Sequence, residues 1–263
     1  MEFGERGKVG GFSLGSWDML KACARNEGAM TTRHVVALGG SLLRPEEAEQ
    51  RTEWFGRLRQ LAVHMEGNGR RLALVVGGGL PAREGITLAR SLVSDTQRLD
   101  EVGIAATRLN ATVIQQILLD IGCDVAPIIP TTTSDAASLM DAHHIVIMGG
   151  TTPGHTTDAV AVALARDTGA HCIIATNVSH VFDKDPRHND DAISFSTMSI
   201  DELAEITGIG APLAPGASAV IDPVAVGWAK SADLRLAVLD GRDLSLLEYA
   251  LDGKPFDGTL ILP

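Results

Sequence analysis

The sequence predicts an α/β fold in which a mostly parallel sheet is covered on both faces by helices. Strand-like and helix-like segments alternate from His34 onward. The strand-like segments are continuous apolar runs, as expected of strands buried on both sides. Three of them end in glycines, at Gly39-Gly40-Ser41, Gly77-Gly78-Gly79 and Gly149-Gly150, where repeated βα units turn the chain.

Taken in order, Val35 to Leu38 is the first short strand. Glu46 to Met65 has helical spacing, with Trp54, Leu58, Leu61 and Met65 on one side. Leu72 to Val76 is the next strand, and a helix follows the glycines through Leu92. Asp100 to Ile121 reads as a long helix beginning at Asp100, with Ile104, Leu109, Val113, Ile117 and Leu118 apolar. Asp124 to Pro130 is expected to be a short strand, and 135–140 a turn or short helix. His144 to Met148 is a buried strand, Ala159 to Arg166 a helix, and His171 to Ala175 a strand ending in Thr176-Asn177. The polar stretch from Val181 to Phe195 suggests a hairpin or loop excursion. Ile200–Thr207, Asp222–Lys230 and Leu244–Leu251 are expected helices; Leu234–Val238 and Gly258–Leu262 are expected strands. Residues 1–29 lack sustained periodicity apart from 17–23, so they read as a disordered tail or a stretch before a natural start at Met30. Residues 30–263 read as one domain whose halves share a sheet.

The formal net charge of −11 argues against general binding to nucleic acid, whose phosphates would be repelled. It does not exclude a nucleotide in a local pocket. Seventeen arginines against five lysines fit either a salt-rich cytoplasm or a GC-rich genome. Cys23, Cys123 and Cys172 are widely separated, which suits a reducing compartment and offers no metal spacing. No uninterrupted apolar run approaches the roughly 20 residues that span a bilayer, and residues 1–29 have no secretory h-region. A cytoplasmic protein with no membrane partner is expected.

The most informative stretch is Met148 to Asp158, a strand that breaks into glycines and then starts a helix. Such a loop aims backbone N–H groups and the positive helix end at one point, where anions bind. Glycine at a single strand end is usually only a turn; three such loops favour a polyphosphate ligand, because ligands of open parallel sheets sit outside the carboxyl ends of the strands. No Walker-type G-x-x-x-x-G-K-[ST] and no G-x-G-x-x-G is present. Arg83 could reach phosphates held by the second loop, or be a surface arginine. Asp100 could accept from ribose hydroxyls, or favour a helix start by its charge. Thr156 and Thr157 can cap the helix carrying Asp158, and His155 could donate to an oxyanion or cap the turn. His143, His144, His171 and His188 read as structural or exposed.

These residues resemble a known family. The series Gly-Gly-Ser41, Gly-Gly-Gly79-x-x-x-Arg83, Asp100-x-x-Gly-Ile104-x-x-Thr-Arg-x-Asn-Ala111, Gly-Gly-Thr-x-Pro-Gly-His-Thr-Thr-Asp-Ala159, Thr-Asn-Val178, Asp-Pro186 and Val-Ile-Asp-Pro223 is similar to archaeal-type uridylate kinases of the amino acid kinase superfamily. The likeness runs from about residue 33 to the C-terminus, and its most specific part is the string ending at Ala159. It implies a three-layer αβα sandwich around about eight strands, assembled as a homohexamer. The acceptor half would span about 30–170 and the donor half about 171–263. It implies transfer of the ATP γ-phosphate to UMP, giving UDP in pyrimidine biosynthesis, with Mg²⁺ carried mainly on the ATP phosphates and no dedicated protein metal site.

The resemblance also implies roles, position by position. Gly39, Gly40, Ser41, Gly79 and Arg83 would meet ATP phosphates, and Thr176, Asn177, Phe182 and Asp185 its adenosine. Gly78, Asp100, Thr151, Thr152, Pro153, Gly154, His155, Thr156 and Thr157 would hold UMP. Asp158 would organise the catalytic centre, with Arg83 as its cation. The chain departs from the pattern in three places. Ala37 stands where many relatives have lysine. Gly227 stands where others have lysine, with Lys230 one helical turn on. Ser179-His180 replaces a frequent Asp-Gly. A kinase for another acceptor (acetylglutamate, carbamate or isopentenyl phosphate) and a non-catalytic nucleotide binder remain the competing readings.

Overall fold

Side chains alternate across a strand, and this alternation divides the molecule into two cores. In β1 (Arg33–Leu38), Val35 and Ala37 enter one core while Val36 and Leu38 enter the other. The architecture comes from a computed structural model, which describes residues 32–44, 48–186, 188–209 and 220–263. The reading of residues 1–29 as a tail therefore lies outside the described residues. The described residues form one compact unit.

The remaining strands are β2 (Arg71–Val76), β3 (Ile145–Met148), β4 (His171–Thr176), β5 (Val181–Phe182), β6 (Ser194–Phe195), β7 (Thr197–Ser199), β8 (Leu236–Asp240) and β9 (Gly258–Leu262). The central sheet has seven strands in the order β3-β2-β1-β4-β8-β9-β7. The first five are parallel; β9 runs antiparallel to β8, and β7 parallel to β9. The polar excursion closes as the antiparallel pair β5–β6. Asp124 to Pro130 is not a strand, and only a bridge joins Val125 to Ile145. Pro127 and Pro130 lack the N–H a longer ladder would need.

The helices are α1 (Ala48–Gly67), α2 (Gly79–Arg90), α3 (Thr96–Asp120), α4 (Thr133–Ala142), α5 (Thr157–Thr168), α6 (Ile200–Thr207), α7 (Pro223–Ser231) and α8 (Leu244–Leu251). The apolar stripes of α1, α3 and α8 cover one face of the sheet with Trp54, Leu58, Met65, Ile114, Leu118 and Leu247. Those of α4, α5, α6 and α7 cover the other with Met140, Val160, Leu164, Leu203 and Val226. The result is three layers. The strongly amphipathic α2 has no buried residue of its own and packs on α3 rather than on the sheet.

Caps set the helix starts. The long helix begins at Thr96, with Asp95 accepting from Gln97 N, so Asp100 is one turn inside it rather than its first residue. Asp222 caps α7 ahead of Pro223, and a reciprocal Ser199–Glu202 box starts α6. Among the described residues α3 alone is long and apolar enough to cross a membrane by length and composition. Its stripe of Leu99, Ile104, Ala111, Ile114 and Leu118 is buried within the protein, as in a core helix.

His34, at the start of β1, is buried, and neither ring nitrogen has a hydrogen-bond partner. Its ring lies 5.6 Å from that of His171. Burial first, then the neighbouring His171 and Arg70, hold its pKa down at about 3, against 6.5 when unfolded. The folded form therefore binds fewer protons than the unfolded form between these values. Stability falls as pH drops below 6.5, by up to about 1.4 kcal/mol per pH unit. Urea midpoints from pH 7 to 5 are expected to fall less steeply for His34→Phe; parallel slopes would exclude His34 as the source.

Candidate active site

The chain reverses its winding direction at β1, which pairs with β2 on one side and β4 on the other. The crevice outside the carboxyl ends of strands at such a point is where open α/β sheets bind ligands. Here the first two glycine loops meet backbone to backbone. A Cβ on Gly40 would lie 2.3 Å from Gly79 N and 2.4 Å from Gly77 O, and one on Gly79 only 2.4 Å from Gly40 O. Gly79 also has φ +56, a conformation side chains disfavour. The loops are tied to the sheet by Gly39 N donating to Ala175 O and Gly77 N donating to Leu38 O, both at 2.9 Å.

The third loop closes on the same junction. A Cβ on Gly77 would be 3.2 Å from Thr157 Oγ1. Thr156 caps α5 by accepting from Ala159 N, and its hydroxyl donates to Asp222. Gly154, at φ +83, turns the loop, and its N–H donates to Asp100 at 2.8 Å. Asp100 thus ties α3 to the loop expected to wrap an acceptor. His155 stands edge-on to Trp228 at 5.2 Å. Thr151 and Pro153 are half-buried around this turn, while Thr152 and Gly154 are exposed.

Helix α3 organises both sides through residues to which the sequence reading assigned no role. Thr107 Oγ1 accepts from Gly150 N at 2.6 Å, and Arg108 Nε donates to Gly150 O at 3.3 Å. One turn on, fully buried Asn110 donates to Gly77 O at 2.8 Å and to Gly78 O at 3.0 Å. Polar residues on an otherwise apolar stripe were the available signal. Gly78 precedes α2 without a side-chain cap bond. Arg83, one turn into α2, is exposed and makes no side-chain bond among the described residues.

Asp158 lies in the first turn of α5, where the helix dipole favours a negative charge. Its oxygen also accepts from Asp222 N at 3.4 Å. Desolvation outweighs that bond and, with the nearby Asp222 carboxylate, pushes the Asp158 pKa up to about 7. Some of its surface still faces outward, but the carboxyl is well surrounded by protein. The same burial, with Asp158 nearby, pushes the Cys172 thiol up beyond any useful reactivity.

On the other flank, Thr176 O accepts from Gly241 N at 2.7 Å. Ser41 and Asn177 line a cavity of about 630 Å³ beside α1 and the start of α8. Phe182 and Asp185 lie on the β5–β6 excursion, which is anchored by Val181 N donating to Thr259 and by Thr259 donating to Phe195 O. His180 needs no left-handed backbone, since Asp233 is the one non-glycine residue with positive φ among those described. Its ring packs edge-on to Phe182 at 6.3 Å. The four histidines read as structural or exposed are so placed: His143 bonds Asp124 at 2.7 Å, His144 Nδ1 lies 3.1 Å from Arg70 O, His171 lies beside His34, and His188 is exposed.

A switch-point crevice walled by glycine backbones, with a helix start and a carboxyl beside it, defines an α/β protein that handles phosphorylated ligands. The chain belongs to the amino acid kinase family, whose model matches residues 32–240. It is 38% identical over 230 residues to the uridylate kinase of Methanococcus vannielii, covering 87% of this chain and 99% of the relative. To that of Methanospirillum hungatei it is 40% identical over 229 residues, covering 86% and 93%. The crystal structure of uridylate kinase from Archaeoglobus fulgidus superposes with a TM-score of 0.73 at 34% identity, covering 87% of this chain and 99% of that one.

Proposed function

We propose that this protein is a uridylate kinase, transferring the ATP γ-phosphate to UMP to give UDP and ADP in pyrimidine nucleotide synthesis. The observation that carries the reading is the junction of the glycine loops at 39–41 and 77–79, with the 149–158 loop closing on it through Thr157. Two anionic substrates can meet there on backbone N–H groups. The acceptor is already a phosphate with second pKa about 6, so no general base is required. A UMP phosphate oxygen bonds to the γ-phosphorus as the bond to the β-phosphate oxygen breaks, and ADP leaves. The protein's work is alignment and charge neutralisation.

In this reading Gly39, Gly40, Ser41 and Gly79 meet the ATP phosphates, and Thr176, Asn177, Phe182 and Asp185 its adenosine. Gly78, Asp100 and residues 151–157 hold UMP; Asp100 already orders that loop through Gly154. The residues fit a Mg²⁺ ion that arrives on phosphate. Asp222 is engaged by Thr156 and by Val224 N, which leaves Asp158 as a carboxyl without a counter-cation among the described residues. One carboxylate plus phosphates and water is a usual Mg²⁺ shell. When bound, the ion neutralises the triphosphate.

Assembly as a homohexamer in the cytoplasm belongs to the same proposal. Leu88 on α2 and Leu109 and Val113 on α3 are exposed, which suits contact with a second copy.

Purified protein with Mg-ATP and a panel of UMP, acetylglutamate, carbamate and isopentenyl phosphate is expected to form UDP, with UMP preferred. Turnover of another acceptor alone, or binding without turnover, would overturn the proposal. Arg83→Ala is expected to lower kcat by about 100-fold or more, the scale of losing one charge-stabilising donor. Because Arg83 is exposed, the melting temperature should not move. An unchanged rate removes Arg83 from the mechanism.

A further inference from the structure

The cavity of about 630 Å³ beside the glycine junction is lined by Ser41, Arg44, Trp54, Arg57, Asn177 and Arg242, among others. Three arginines from three separate segments face it, and their partners differ. Arg242 is clamped by Asp240, with contacts of 2.5–3.0 Å to both oxygens. Arg57 faces Glu53 at 3.8 Å on the same helix. Asp243, also on the wall, is occupied by Ser245. Arg44 differs from both other arginines: its one side-chain partner among the described residues is the neutral amide oxygen of Asn110, at 2.7 Å. A guanidinium carries five donors, so among the described residues most of its hydrogen-bonding capacity is unused and no carboxylate pairs with its charge.

Asn110 connects that charge to the reaction centre. The same amide that accepts from Arg44 donates to Gly77 O and Gly78 O. Arg44 therefore sits one side chain from the loop junction. The lysines near the motifs cannot do its job, because Lys184 is paired with Asp191 at 2.7 Å and Lys230 with Asp201 at 2.8 Å. Ala37 is buried in the core and brings no charge.

We propose that Arg44 is a catalytic residue that binds the phosphates of the donor nucleotide at the mouth of this cavity, held in register with the glycine junction by Asn110. This rests on the kinase reading above. A planar fork suits non-bridging phosphate oxygens. Its orientation is set before substrate arrives, because the Asn110 bond holds the guanidinium in place. The charge compensates the negative charge that leaves with ADP.

Arg44→Ala, Arg44→Gln and Arg44→Lys in the full chain test the assignment, by steady-state kinetics and by calorimetric binding of Mg-ADP and of adenosine. Gln keeps a donor for Asn110 without charge, and Lys keeps the charge. Ala and Gln are expected to lower kcat/KM for ATP by about 100-fold, with the KM for UMP within about threefold. Lys should recover a substantial part of the loss. Mg-ADP binding should weaken in Ala and Gln while adenosine binding holds. Gln behaving like wild type would show that Arg44 merely props Asn110, and Lys no better than Gln would show that charge is not what matters; either overturns the role. If wild type forms no UDP, the kinase reading fails by itself. Mg-ADP binding then still decides Arg44: weakened binding in Gln upholds it as a phosphate site, and equal affinity in wild type and Gln overturns it.

Discussion

Gly40→Ala is expected to abolish most turnover, because the added methyl carbon would lie 2.3 Å from Gly79 N and 2.4 Å from Gly77 O. Ordinary carbon contacts need well over 3 Å. Both obstructing atoms are backbone, so no side chain can rotate away. The loops also cannot separate freely: Gly39 and Gly77 are bonded to neighbouring strands, and Asn110 holds Gly77 and Gly78 from behind. The methyl must force the loops apart by roughly an ångström, a displacement that costs about 100-fold in rate when it misaligns reacting groups. Overpacking of this kind also destabilises by about 1–3 kcal/mol. Gly56→Ala is the control, since it lies within α1 with nothing within 4 Å of its added carbon. That change should leave turnover intact and stabilise by up to about 1 kcal/mol through helix propensity. If Gly40→Ala keeps kcat/KM within about threefold of wild type, close loop approach is not what shapes the site.

Asp158→Asn is expected to separate activity from stability. The carboxyl is protonated below about 7 in the ligand-free protein because burial disfavours its charge. When unfolded it ionises near 3.8. A raised folded pKa gives stability that is full below 3.8 and lost as pH rises through about 7. Asparagine cannot ionise, so the variant should be the more stable protein at pH 8. The anion is nevertheless the group that would meet the Mg²⁺ carried by ATP. Its loss is expected to lower kcat by about 100-fold or more, as for other removed electrostatic stabilisers. The rise in wild-type rate between pH 6 and 8 should lose its component near 7, while any part set by the UMP phosphate persists. Thermal melts and kcat profiles across this range check both halves. A variant that is both active and no more stable at pH 8 would remove Asp158 from the centre.

Much of this site can be read from the chain. The strand-ending glycines, the helix start at Thr156–Asp158 and the apolar faces of α1, α5 and α8 follow from local spacing, and the structure brings the glycine loops and that helix start to one crevice. Asp100 was singled out from the sequence, and the structure brings it to the 149–158 loop through Gly154. Its place was misread because Asp95, an equally good cap five residues earlier that accepts from Gln97 N, starts the helix instead. The expected strand at 124–130 failed because its prolines leave only one bridge. That Ser41 and Asn177 share one cavity could be expected only through the family resemblance, since 136 positions of chain separate them and no local pattern joins them.

What the sequence by itself determined is the alternation of buried strands and amphipathic helices, and the glycines that let backbones approach where β1 and β2 end. These are local properties: periodicity, the missing Cβ and the capping side chain act within a few residues. Only the tertiary structure decided how those loops are held and charged. Thr107, Arg108 and Asn110 reach loops 32 to 43 residues away, and Arg44 meets Asn110 across 66 positions. Which cation lacks a carboxylate partner among the described residues depends on which carboxylates the fold brings near it. Coulomb and hydrogen-bond partners are chosen by distance in space, and the sheet order that sets that distance is written nowhere in the local sequence.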